Sequence, residues 1–126
     1  MAPPTIKSVS VPHPISCGKR IDITVEVRIY NRDTNLTVCF KLQQPTSCRF
    51  ASLSDGKKKM EECRRRTKLP IGTHKLAFRV KFTCPHGDAY RVGTNITASN
   101  DRGERDTKKE LWKVDCVAPG VTDTYV

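Results

Sequence analysis

Two sets of residues in this 126-residue chain have types and spacings that could do chemistry: six cysteines and a concentrated run of cations. Cys17, Cys39, Cys48, Cys63, Cys84 and Cys116 are even in number and spread over most of the length. A metal ion needs thiolates paired closely enough for each sulfur to reach it at about 2.3 Å, and no Cys-x-x-Cys pair occurs, so the spacing points to disulfides. Six free thiols would be a liability in a reducing cytosol. The expectation is therefore an oxidising, extracellular setting with up to three bridges, each worth roughly 2–4 kcal/mol. Spacing does not choose among the pairings that six cysteines allow; Cys39 with Cys48 is the one pairing expected.

Secretion agrees with two acceptor triplets for N-linked sugar, at Asn35 (Asn35-Leu36-Thr37) and Asn95 (Asn95-Ile96-Thr97). The opening Met1-Ala2-Pro3-Pro4 has no basic segment followed by an apolar h-region, so a secreted chain is read here as a mature form with an added initiator Met.

The cations concentrate in residues 57–68, where Lys57, Lys58, Lys59, Arg64, Arg65, Arg66 and Lys68 stand against only Glu61 and Glu62 and supply half of the formal net charge of +10. Like charges held together repel, and a polyanion brought to them gains the entropy of released counterions. Residues 64–69 also fit the loose x-B-B-x-B-x pattern (B basic) of heparin-binding proteins. The expected partner is an acidic glycan or an acidic protein surface. Two other readings stay open: a solvated loop, or a processing site at either basic triplet, with Cys63 keeping the pieces joined. Lys75, Arg79 and Lys81 form a secondary cationic set, which Arg28 and Arg91 extend if their strands are neighbours; the plainer reading is the charged solvent side of a sandwich. Residues 101–115 carry five charges of each sign and read as a neutral, solvated surface. Nucleic acid is a poor fit: aromatics are 6% of the chain, and only Phe50 and Tyr90 lie near the basic residues.

Catalysis finds little support. A ribonuclease needs two acid–base groups and a cation aimed at one phosphate. Of His13, His74 and His86, the last two flank one strand and would lie about 40 Å apart if it were fully extended. Serine, cysteine and phosphate-loop signatures are missing. The expectation is a protein without enzymatic activity, cofactor or metal. The alternative is a basic secreted hydrolase, such as a ribonuclease using His74 or His86.

The elements that must position these residues are strands. Residues 21–30 alternate strictly, with Ile21, Ile23, Val25, Val27 and Ile29 on one face. The pattern returns at Leu36, Val38, Phe40 and Leu42, at Leu76, Phe78, Val80 and Phe82, and more weakly from Tyr90 to Ala98. Two more strands are expected, at 5–11 ahead of Pro12-His13-Pro14, and at 111–117, where Trp112, Val114 and Cys116 share a core-facing side. Residues 31–35 and 85–88 supply turns, and Gly72 and Gly103 punctuate longer connections. Residues 57–68 lack an apolar stripe and read as irregular, so 51–70 is expected to be a basic loop. Residues 118–126 read as a flexible tail or an added edge strand, and the sequence does not choose between them. No run approaches the roughly 20 apolar residues of a membrane-spanning helix. Strands with one apolar face and no helices to cover them must bury those faces on one another. The predicted fold is all-β: one domain over 1–126, a two-layer antiparallel sandwich fastened by disulfides.

The segment from Pro4, with Ile6, Val9, Val11, Pro14, Ile15 and Gly18 ahead of the strand beginning at Ile21, resembles the opening of immunoglobulin-like domains of the early-set type: a strand, a proline-marked kink and a glycine turn. Leu69-Pro70-Ile71-Gly72-Thr73-His74 is similar to the turn preceding a middle strand there. The resemblance implies an immunoglobulin-like sandwich. The chain departs from antibody-type domains in placing Trp112 near its C-terminus. Size, cysteine count and charge also resemble the small cysteine-rich secreted effector proteins of fungal pathogens. That likeness implies a non-catalytic interaction module acting at a host or cell surface.

Overall fold

The computed structural model describes residues 2–85 and 87–116; His86, Val117 and the expected tail 118–126 lie outside the described residues. Ten strands follow in order: β1 (Thr5–Ser10), β2 (Ile15–Ser16), β3 (Arg20–Ile29), β4 (Thr34–Leu42), β5 (Arg49–Ala51), β6 (Lys58–Lys59), β7 (Glu61–Leu69), β8 (Gly72–Thr83), β9 (Ala89–Asn100) and β10 (Arg105–Asp115). Among the described residues there is no helix.

The strands form two five-stranded sheets, in the orders β1-β3-β8-β5-β6 and β2-β10-β9-β4-β7. Every pairing is antiparallel except β2 on β10, which is parallel. That exception follows from the Pro12-His13-Pro14 break. Prolines cannot donate to a ladder, so the chain leaves β3 there and crosses to the other sheet. Gly18, at φ 78°, then makes the turn into β3, its N–H donating to the Phe82 carbonyl at 2.8 Å.

The period-two residues face one another across the layers. Ile23, Val25, Val27, Phe78, Val80 and Phe82 of one sheet meet Leu36, Val38, Phe40, Val92, Ile96 and Val114 of the other in one buried cluster. Phe82 stands between Phe50 and Trp112, with ring centres 4.8 and 6.0 Å away. Trp112 is therefore a core residue, as its alternation predicts.

All six cysteines are bridged, as Cys17–Cys116, Cys39–Cys63 and Cys48–Cys84. The expected Cys39–Cys48 pairing is incorrect. Cys39 and Cys63 are register partners on β4 and β7, whereas Cys48 lies just before β5, which pairs with the end of β8 next to Cys84. The expected loop is also corrected: residues 51–70 contain β6 and all of β7, a nine-residue strand.

Candidate polyanion-binding surfaces

Because β7 is a strand, its basic triplet is split between two faces. Register places Leu36 opposite Arg66, Val38 opposite Arg64 and Phe40 opposite Glu62, so these three β7 residues point toward the core; Arg65, opposite Thr37, points out. β5 pairs with β8 only at Phe82 and Thr83, which leaves most of that edge of β8 without a strand beside it. Arg64 and Arg66 cross the gap between the layers and close the edge. Arg64 donates to the Arg79 carbonyl at 3.1 Å and Arg66 to the Ala77 carbonyl at 2.8 Å. Arg64 also meets the Glu62 carboxylate at 2.9 Å, and Lys59 meets it at 3.1 Å. Glu62 is only 3% exposed, and burying a carboxylate is tolerable because two cations hold it. The three arginines that looked like one patch are two edge seals and one surface residue. Arg65 itself is paired with Asp101 at 3.2 Å.

The other expected contacts are dispersed. Lys57 sits in an exposed turn, where its N–H donates to Asp55 Oδ1 at 3.0 Å. That bond holds the Asp55 carboxyl below its ordinary carboxylate value. Lys58 and Lys59 are exposed on β6, the short outermost strand of its sheet. Lys68 adopts φ 53° at the β4–β7 register shift and donates its N–H to Asn35 Oδ1 at 3.0 Å. On β8, Lys75, Arg79 and Lys81 share the outer face, but β3 interleaves acids among them. Asp22 faces Arg79 and bonds it at 3.3 Å, and Glu26 faces Lys75. Arg28 lies on this same face, on β3; Arg91 is on β9 in the other sheet and does not extend it.

Five cations without an ion pair among the described residues share the outer face of the sheet formed by β10, β9, β4 and β7. Register arranges it in rows: Arg105, Ser99, Thr37 and Arg65; then Thr107, Thr97, Cys39 and Cys63; then Lys109, Asn95, Lys41 and Glu61. Below these come Leu111 beside Gly93, and Lys113 beside Arg91. Lys41, Arg91, Arg105, Lys109 and Lys113 are exposed, and none has an ion pair within 4.0 Å among the described residues. Charge summation over 101–115 hid them. Alternation along β10 turns Arg105, Lys109 and Lys113 outward and leaves Asp106, Lys108 and Glu110 on the inner side. Asp106 closes the opposite edge of the sandwich, its Oδ2 accepting the Ile6 N–H at 2.8 Å.

The centre of this face is polar. Thr97 and Thr107 hydroxyls lie 3.3 Å apart. The Gln43 side chain lies over Gly93, where any Cβ would collide with it, and donates to Asn95 Oδ1 at 3.0 Å. Both acceptor asparagines are half-buried. Asn35 already donates through Nδ2 to Asp101 at 2.9 Å, while Asn95 occupies the row between Lys109 and Lys41. At the Arg91 end, the loop after β4 leaves an open groove of about 440 Å3 lined by Gln44, Pro45, Thr46, Ser47, Tyr90 and Arg91.

Histidine chemistry has no visible site among the described residues. His74, near the start of β8, has Nε2 at 2.8 Å from the Pro70 carbonyl, and His13 lies in the proline break before β2, near the far end of β8. The sulfurs of Cys17, Cys84 and Cys116 lie within 4.8 Å of one another, but their disulfides leave no thiolate to ligate a metal.

No protein-family model matches the sequence. No curated protein matches it either. Among solved structures, the chain is similar to the cohesin module from the Clostridium perfringens ATCC13124 family 33 glycoside hydrolase, at TM-score 0.49 and 9% identity over 91% of this chain and 98% of that one. It is also similar to a conjugative transposon lipoprotein from Bacteroides eggerthii DSM 20697, at TM-score 0.45 and 16% identity over 89% and 98% of the two chains.

Proposed function

We propose that this protein is a secreted, non-catalytic binding module for an anionic partner, an acidic glycan or an acidic protein surface. One observation carries the reading. On the β7 edge Lys59, Arg64, Arg65 and Arg66 have carboxylate or carbonyl partners, and on the β3–β8 face Asp22 and Glu26 stand among the cations, whereas Lys41, Arg91, Arg105, Lys109 and Lys113 share one sheet face with no ion pair among the described residues. Unneutralised charge lowers stability through self-repulsion, and an arriving polyanion relieves it. Three disulfides support an extracellular location. The strand, proline break and glycine turn at the start of the chain support kinship with early-set immunoglobulin-like domains.

The test is retention on immobilised heparin across a salt gradient, run beside incubation with total RNA. The reading expects retention that falls steeply with salt, and RNA left intact by both the natural chain and a His74→Ala variant. Passage through the column at low salt rejects the binding role. RNA breakdown that His74→Ala abolishes replaces it with the hydrolase.

A further inference from the structure

The partner's class can be narrowed, on the assumption that the binding reading above is right. We infer that the outer face of β10, β9 and β4 is a track for a linear acidic polysaccharide, with the groove beside Arg91 receiving one sugar at its end.

The spacing of the charges carries the first step. Arg105, Lys109 and Lys113 recur every fourth residue along one strand, so they stand about 13 Å apart and span about 26 Å in a straight line. Lys41 lies two strands from Lys109, about 10 Å across the sheet, and Arg91 is next to Lys113. A regular polyanion meets such a lattice repeatedly, whereas an isolated phosphate or carboxylate meets one cation at a time.

The ground between the charges carries the second step. Thr37, Thr97, Thr107, Ser99, Asn95 and Gln43 offer hydroxyl and amide groups that donate and accept, which suits sugar hydroxyls. Protein interfaces instead anchor on aromatic or large apolar residues at a desolvated centre. This face has one large apolar side chain, Leu111, at 64% exposure, and no aromatic among its outward residues. An acidic protein would find charge here but no anchor.

The groove carries the third step. It continues the face at Arg91, and it combines the rings of Pro45 and Tyr90 with the polar Gln44, Thr46 and Ser47. The Tyr90 hydroxyl is fixed by donation to the Pro85 carbonyl at 3.0 Å. A ring face, hydrogen-bonding groups and one guanidinium are the set that a uronate or sulfated sugar would use.

The experiment measures binding of a length series of heparin oligosaccharides, of poly-glutamate and of anionic phospholipid vesicles to the natural chain and to two triple variants. One carries Arg105→Ser, Lys109→Ser and Lys113→Ser. The other carries Arg20→Ser, Lys75→Ser and Lys81→Ser on the opposite face and removes the same charge. Thermal unfolding confirms that both are folded. The track predicts affinity that rises with oligosaccharide length, a loss of about tenfold or more and a shallower salt dependence in the first variant, and a much smaller change in the second. Adding Tyr90→Ala to the natural chain weakens the longest oligosaccharides further. Equal losses in the two triple variants mean that net charge alone attracts the glycan, and the track is wrong. Tighter binding of poly-glutamate or of vesicles assigns the face to a protein or a membrane and also overturns it. If none of the three polyanions binds the natural chain, the broader function fails, an outcome distinct from the other two.

Discussion

Arg66 lies over the ring of Phe78, its guanidinium carbon 4.6 Å from the ring centre, while an N–H of the same group reaches the Ala77 carbonyl beside that ring. One side chain thus joins β7 of one sheet to β8 of the other at a place where no strand bridges them. The finding makes Arg66 a structural residue, and the consequence for stability is direct. Arg66→Ala removes a cation–π contact and one hydrogen bond, and should cost about 1–2 kcal/mol. Thermal unfolding would register this as a fall of roughly 4 °C per kcal/mol. Arg66→Lys should recover little, because an ammonium group cannot lie flat on the ring and reach the carbonyl together. An unchanged melting temperature in Arg66→Ala would show that the edge is closed by other means.

Glu62 and Arg64 predict a larger effect. Arg64→Leu leaves a carboxylate at 3% exposure with Lys59 alone, and should cost about 2–4 kcal/mol. Making Glu62→Gln in the same chain removes the stranded charge and should return part of that loss. Urea unfolding of the two single variants and the double variant supplies the comparison. Strict additivity would mean that the pair is not coupled.

The bridges differ in what they enclose. Cys17–Cys116 spans 99 residues and Cys39–Cys63 spans 24. Chain-entropy arguments give about 4.7 and 3.4 kcal/mol for loops of these lengths. Replacing each pair by alanine should therefore lower the urea midpoint more for the first. Cys63 is exposed on the outer face, so mild thiol reductant should open its bridge before Cys48–Cys84, whose sulfurs are buried. Mass spectrometry after timed alkylation reads the order.

Thr94 is fully buried on β9, and its hydroxyl has no hydrogen-bond partner among the described residues. Thr94→Val keeps the shape and removes the unsatisfied group, so it should stabilise the fold by about 1 kcal/mol. A loss of stability instead would indicate that the hydroxyl is bonded in solution, to ordered water.

Sugar at Asn95 and polyanion on the face should exclude each other, since Asn95 stands in the row between Lys109 and Lys41. Protein made in a glycosylating host and carrying a glycan there should leave heparin at lower salt than the unmodified chain. Asn95→Gln should remove the difference. Intact mass reports occupancy, and identical elution of the two forms would place the contact elsewhere.

The sequence made most of the sandwich legible because apolar alternation survives wherever a strand faces the core. β3, β4, β8 and β9 stand where Ile21, Leu36, Leu76 and Val92 placed them. β7 was invisible for a physical reason: it is the edge, and its inward positions hold Glu62, Arg64 and Arg66 instead of aliphatic residues. The first half of β10 was hidden likewise, behind Asp106, Lys108 and Glu110. The cationic face is not legible in the net charge of 101–115, because a sum along a strand discards the side on which each charge emerges. The Cys39–Cys63 bridge depends on the β4–β7 register, and is no more legible than β7 itself.

The borders of both sheets share one property. One ends in the lysines of β6 and in β1, whose Ile6 N–H is held by Asp106 of β10; the other ends in β7, with arginines and a glutamate turned inward, and in β2, a strand of two residues. A protein gathered in many copies along a single polymer is held at high local concentration, the condition under which open ladders zip into fibrils. Charged or shortened borders of this kind offer a neighbouring molecule a poorer template.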